Sequence, residues 1–252
     1  MDVLVCIKRV PATGGRITLT DDDRAIDTKS LGFTVSPHEE CAVEEAVRLI
    51  EQHGGASVVL TLGPPVAEEQ LRDALALGID RGVLLETEAS WSAEATAEAI
   101  AIATVEQETP FDLLLFGNEA ADTADHQVGI RVAQALGMPC VTGVKSLEVV
   151  DGRATARREG ADGTEVYELD LPAVITVREG INVPRYPSIP GRIKAKKKEV
   201  AHMPVERPDE TLEFLKLVML PERPSEVKVL GTGPDTAPAV VDILLDLKLI
   251  VS

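Results

Sequence analysis

The sequence predicts an α/β protein: a doubly wound, mostly parallel sheet with a β-rich segment and an extended C-terminal arm. Three observations predict it. Short apolar runs alternate with helical stretches of about 10–15 residues from the N-terminus to residue 137, the pattern of βαβ units. Residues 140–177 contain no long helical stretch, and Asp-Gly pairs at 151–152 and 162–163 mark hairpin turns. Beyond residue 200 prolines interrupt every pattern until an apolar stretch at 237–249. The expected division is a nucleotide-binding α/β domain at 1–200 and an arm with a terminal helix at 201–252.

"VLVCIK" (3–8) is an apolar run ending in charge, as in a buried parallel strand, and a Gly/Thr/Asp-rich loop covers 11–30. The next stretch, "SPHEECAVEEAVRLIEQHGG", is a helix. Ser36 is its N-cap, Pro37 sits in the first turn, and Val43, Ala46, Val47 and Ile50 form the apolar stripe. Strands are predicted at 56–63, 81–86 and 111–117, and helices at 65–77, 92–107 and 125–137. "LPAVITV" returns the β-rich excursion to the same sheet as its last inner strand. Right-handed crossovers then put the binding crevice at the carboxyl ends of the strands, where the strand order reverses. The helix at 237–249 carries Val240, Val241, Ile243, Leu244, Leu247, Leu249 and Ile250. It either folds back on the main domain or packs on another polypeptide.

The formal charge of −17 over 252 residues argues against general nucleic-acid binding, which needs spread positive charge. Cys6, Cys41 and Cys140 are far apart and form no metal-binding or redox pair motif. No apolar run approaches a membrane span and the start lacks the anatomy of a signal peptide, so a cytoplasmic location is expected. A phosphate loop of the GxxxxGK[ST] type is missing, "GTGP" (231–234) reads as a turn, and the four histidines sit in no recognisable triad frame.

One stretch has the pattern of a ligand site. In "FGNEAADTADHQVG" (116–129) a buried strand ends, a polar loop follows, and a helix begins near Asp125. Loop amides and a helix N-terminus converging at the sheet's carboxyl edge suit an anion, most simply a nucleotide phosphate. Asn118, Gln127 and the amides of His126 to Val128 are the natural donors. The alternative is an ordinary βα turn capped by Asp122 or Asp125, and the Asp125 charge opposes a phosphate.

"VPRYPSIPGRIKAKKK" (183–198) stands out on this acidic chain. Pro184, Pro187 and Pro190 exclude a regular helix or an inner strand. The expectation is a stiff loop with Ile189 at its tip and Tyr186 packed at its base. A solvated basic run, Lys194 to Lys198, follows it.

Together these residues resemble the beta subunit of an electron-transfer flavoprotein. "VLVCIKRVP", "SPHEECAVEEAVRL", "ALALGIDRGVLLE" and "LPAVITVREGINVPRYPSIPGRIKAKKK" carry the resemblance, in order, over residues 1–200. It implies a Rossmann-like fold and a partner alpha subunit holding most of an FAD. It also implies electron transfer from acyl-CoA or related dehydrogenases, as in fatty acid beta-oxidation, to a quinone oxidoreductase or another acceptor. In that role the chain serves dehydrogenases rather than catalysing a reaction on a substrate of its own. A structural AMP is implied at Cys6, Ser36, Val59, Leu60, Thr61 and Leu62, and at Gly117, Asn118, Glu119, Ala120, Ala121, Asp122, Thr123, Ala124, Asp125, His126, Gln127 and Val128. An electron-bifurcating branch holds a second FAD there instead. Partner docking is carried over to Pro184, Arg185, Tyr186, Ile189 and Lys194, with Ile189 as the anchor. The resemblance also implies an Arg158–Glu159 pair at the subunit interface, and a flavin environment altered at Thr13 and His38. A stand-alone adenine-nucleotide module is the competing reading from another class.

Overall fold

The computed structural model describes residues 1–12, 14–208, 214–221 and 227–250. Thr13 lies outside them. The chain forms two compact units, Met1–Lys216 and Leu217–Ser252.

The first unit is built on a nine-stranded sheet. Its strands are β1 (Asp2–Cys6), β4 (Ala56–Gly63), β5 (Arg81–Glu86), β6 (Leu113–Gly117), β7 (Cys140–Val150), β8 (Arg153–Gly160), β9 (Gly163–Asp170), β10 (Ala173–Val177) and β11 (Val200–Pro204), in the order β11-β5-β4-β1-β6-β10-β7-β8-β9. The seven strands from β11 to β7 are parallel; β8 and β9 continue the sheet antiparallel. This is the predicted doubly wound architecture. The first hairpin turns at Asp151–Gly152 and the second at Ala161–Asp162, with Gly163 opening β9, and β10 re-enters between β6 and β7. From β1 the chain moves outward to β4 and β5, then crosses back to β6 on the other side of β1. The order therefore reverses between β1 and β6. A small ladder of β2 (Val10–Pro11) and β3 (Phe33–Thr34) closes the 11–30 loop.

Helices α1 (Pro37–His53) and α2 (Glu68–Leu77) cover one face. Helices α3 (Ala93–Val105) and α4 (Val128–Leu136) cover the other. The central strands are apolar on both faces: Val3 and Val5 enter the α1 side, Leu4 and Cys6 the α3 side. The predicted stripe of α1 is the buried one, Val43, Ala46 and Val47 lying in the core with Ile50 at its margin.

Several boundaries differ from expectation. The first turn of the predicted 65–77 helix is a 3-10 turn, Pro65–Ala67, before α2. Helix α4 starts at Val128 rather than near Asp125, because Ala124 and His126 adopt left-handed backbone (φ 50° and 52°) that interrupts a right-handed helix. Neither Asp122 nor Asp125 caps it; Gln127 is the N-cap residue and makes no side-chain cap bond. The proline-rich stretch is not all loop. Ser188 Oγ accepts the Gly191 N–H (3.1 Å) and starts a short helix, α5 (Ile189–Ala195). Pro190 fits there because first-turn amides have no intrahelical acceptor to lose. Strand β11, which the sequence did not announce, extends the sheet past residue 200.

In the second unit Pro234–Thr236 is a 3-10 turn following "GTG", and α6 (Ala237–Asp246) is the predicted terminal helix, shortened where Lys248 takes a left-handed φ of 56°. No residue of α6 is buried. Among the described residues no helix is long and apolar enough to cross a membrane.

Candidate functional site

The candidate site grows from the exit ends of β1, β4 and β6. Cys6 pairs in register with Leu60 on one side and Phe116 on the other, so these three ends lie side by side at the reversal point. Cys6 is buried, and its thiol is pushed far up by that burial and by the nearby Glu39 charge. Val59 and Leu60 give their side chains to the two cores. Leu62 packs at the margin of the α3-side core. Thr61 is buried, and its hydroxyl has no partner.

The loop after β6 is tied back to these ends. The Ala121 N–H donates to Ser36 Oγ (3.0 Å). Lys8 Nζ donates to Asp122 Oδ1 (2.8 Å) and Thr123 Oγ1 (3.3 Å). The Glu39 carboxylate accepts the Lys8 N–H (3.0 Å) and the Ser36 N–H (3.4 Å), joining the exit of β1 to the start of α1. Burial pushes the Glu39 carboxyl up to about 8 against these donors. Gly117 is required beside it: a Cβ there would stand 2.6 Å from Glu39 Cγ.

Asn118 is held from both sides. Its Oδ1 accepts from Thr176 Oγ1 (2.9 Å), and its Nδ2 meets His126 Nδ1 (3.1 Å). Glu119 receives His126 Nε2 at 2.6 Å and has His38 Nε2 at 3.9 Å. Burial holds the His38 imidazole below the usual histidine range. Gln127 accepts from Arg131 Nε (3.2 Å). The first amides of α4, Val128 to Ile130, have no acceptor within the helix.

The structure thus brings Cys6, Ser36, Thr61, Leu62 and 117–128 to one edge, with two carboxylates already engaged, Asp122 by the Lys8 ammonium and Glu119 by His126 Nε2. Sequence reasoning missed Lys8, Glu39 and Thr176. Glu39 was findable, since Ser36-x-x-Glu39 has the spacing of a capping box. Thr176 was the one polar side chain in the run "AVITV". Lys8 showed nothing, because its target is 114 residues away. Two surface hollows, of about 400 and 490 Å3, are lined by residues of 45–52 with 147–150 and of 136–139 with 168–172, away from this edge.

Residues 24–208 match the family model described as electron transfer flavoprotein domain. Electron transfer flavoprotein subunit beta of Syntrophomonas wolfei is 36% identical over 231 residues, covering 91% of this chain and 90% of the relative. The subunit beta of Bacillus subtilis is 35% identical over 207 residues, covering 81% and 79%, and that of Bradyrhizobium diazoefficiens 36% over 213, covering 81% and 82%.

The chain belongs to the electron transfer flavoprotein beta-subunit family.

The segment from Asn182 to Lys198 is strapped to two helices. Arg185 forks onto Glu44 (Nε to Oε2 2.9 Å, Nη2 to Oε1 3.0 Å) and reaches Glu51 (2.6 Å), so it is engaged with α1 of its own domain. Asn182 donates to the Cys41 carbonyl and to Glu45. Pro184 is half-buried, Lys194 exposed, and Ile189 76% exposed at the first turn of α5. Tyr186 does not pack at a loop base. It is 95% exposed, since its neighbour Arg185 points down onto α1 and turns the tyrosine outward. The basic run is not wholly solvated either. Lys198 Nζ donates to the carbonyls of Leu75 (3.1 Å), Gly78 (3.3 Å) and Ile79 (2.5 Å) at the end of α2. Gly191 permits that closeness, because a Cβ would lie 2.5 Å from the Ala76 carbonyl oxygen. Arg158 pairs across the hairpin with Glu165 (2.5 Å) and Tyr167 (3.0 Å), not with Glu159, which follows it on the strand and faces the other way.

Proposed function

We propose that this chain is the beta half of a heterodimeric electron carrier, partnered by an alpha subunit that holds most of an FAD. Its donors are acyl-CoA or related dehydrogenases, and its acceptor is a quinone oxidoreductase or a similar protein. This subunit holds an AMP as a structural group. The observation that carries the nucleotide reading is the double tie of Ser36 to Ala121 and Lys8 to Asp122. These bonds fold the post-β6 loop over the exit of β1, beside the unpaired amides of α4. The residues fit such a group. Thr61 offers a buried hydroxyl without a partner, and Val128 to Ile130 offer amides. Glu119 and Asp122 are occupied by His126 and Lys8, which reduces their repulsion of a phosphate.

When bound, FAD supplies the one- and two-electron chemistry, whereas AMP supplies none. The chain's own part is to bind and orient. Ser36, Glu39 and Lys8 fix the loop, Asn118 is locked by Thr176, and Ile189 is displayed by α5 for a partner dehydrogenase. Short prolines and the Ser188 cap limit the conformational freedom that Ile189 loses on docking.

Co-expression with an electron-transfer flavoprotein alpha subunit, denaturation, and identification of the released nucleotides test this reading. One FAD and one AMP per heterodimer is the expected result. Two FAD would assign the chain to an electron-bifurcating carrier. A colourless, stand-alone chain that binds adenine nucleotide would overturn the carrier reading.

A further inference from the structure

His202 sits on β11, the edge strand of the sheet, in a setting unlike that of the other histidines. Its Nδ1 lies 2.9 Å from Glu86 Oε2 on β5, and its Nε2 lies 3.0 Å from Glu68 Oε2 on α2. An ionised carboxylate only accepts hydrogen bonds, and a neutral imidazole has one nitrogen that cannot donate. Both contacts are satisfied together only by the imidazolium. The charged groups around the ring are Glu68 and Glu86, with Arg72 of α2 standing behind Glu68 on its other oxygen (2.7 Å). Arg72 continues to the end of α5, donating to the carbonyls of Ala195 and Lys198 (2.7 Å each).

We infer that His202 is a proton-controlled latch, which fastens β11 to the wall formed by α2 and β5 only while its ring carries both protons. The fastened strand is one that needs fastening. It is a five-residue edge strand, paired on one side only, and it is the last strand of the first unit. Losing a proton leaves a nitrogen lone pair about 3 Å from a carboxylate. The contact then turns from attraction to repulsion, and the strand is released from its neighbours' side chains. Through Glu68 and Arg72 the same event reaches the seat of α5. Glu86 and Glu68 hold the ring's titration above the usual histidine range. Because the folded value is raised, the clamp is complete below the unfolded value and is lost as pH rises through the folded one. This inference does not depend on which nucleotide the chain holds.

Hydrogen exchange followed by mass spectrometry on the full chain in its purified assembly tests it. The readout is the peptide spanning β11, between about pH 6 and pH 8.5, corrected for the intrinsic pH dependence of exchange. In the wild type, protection of β11 should fall roughly tenfold across this range. In His202→Gln, which carries no charge at any pH, protection should be low and flat. A flat wild-type profile, or a His202→Gln profile matching the wild type, overturns the latch. Should that variant not fold, NMR titration of the wild-type histidines decides. A His202 midpoint above the ordinary value of about 6.5 supports the latch, and one at or below it overturns it.

Discussion

Arg72 caps the end of α5, and Lys198, just past α5, caps the end of α2, the helix that carries Arg72. Arg72, on α2, donates to the carbonyl of Ala195, which ends α5, and to that of Lys198 three residues on, and Lys198 Nζ returns to the carbonyls of Leu75 in the last turn of α2 and of Gly78 and Ile79 just past it. Each cation neutralises the negative end of a helix it does not belong to. This exchange ties the segment around α5 to the sheet domain. It gives the last lysine of "KAKKK" a structural task that its neighbours in the run do not share.

Lys198→Met removes the donor and leaves three carbonyls facing an apolar side chain. The expected cost is about 1–3 kcal/mol in urea unfolding. Lys196→Met and Lys197→Met, at exposed positions, should change stability by less than about 0.5 kcal/mol.

Arg185→Ala strands Glu44, whose side chain is only 6% exposed. A loss of about 2 kcal/mol is expected, measured by thermal or urea unfolding. Arg185→Lys should recover part of it, because a single ammonium cannot reproduce the two-point fork onto Glu44.

Glu39 makes stability fall with rising pH. Its carboxyl lies at about 8 in the folded chain against an ordinary 4.5, so folding takes up a proton between those values. Its contribution to stability is complete below about 4.5, declines towards pH 8 and is flat above. Glu39→Gln should remove that slope, so that the variant's stability relative to the wild type rises between about pH 4.5 and pH 8. Unfolding midpoints measured across the pH range check it; an unchanged slope would show that another group is responsible.

Ser36→Ala deletes the acceptor of the Ala121 N–H and should loosen the 118–126 loop at a cost of about 1 kcal/mol. Under the proposed function, bound AMP should be lost on extensive dialysis while the FAD content of the heterodimer stays the same.

Ile189→Ala should slow electron acceptance from the partner dehydrogenase and leave FAD content and unfolding unchanged, since the side chain is 76% exposed. Stopped-flow flavin reduction is the measurement. Unchanged rates would mean that docking uses other residues, with Tyr186 the first to examine.

By itself the sequence determined the sheet apart from its edge strand β11. Residues 56–63 and 81–86 read as strands and are β4 and β5 to the residue, because apolar runs bounded by glycine and charge leave few alternatives. The Asp-Gly pairs located both hairpins for a similarly local reason: the first turns on left-handed Asp151 (φ 49°) and Gly152 (76°), and the second leaves its turn through Gly163 (139°), a backbone few other residues adopt. The loop at 117–128 was legible as a site because strand end, polar loop and helix start follow one another in the chain. What only the tertiary structure decided depends on partners far away in sequence. Tyr186 was expected inside and lies outside because Arg185 had Glu44 and Glu51 to reach, over 130 residues earlier. Lys198 was expected in solvent and is sequestered because α2 ended with free carbonyls beside it. Strand β11 is short, follows a lysine run and ends in proline, so it does not announce itself, and its place is set by the open edge of β5 and by two carboxylates that take His202. Local backbone preference and hydrophobic period are written along the chain. Charge pairing and capping are settled only when the fold brings donors and acceptors together.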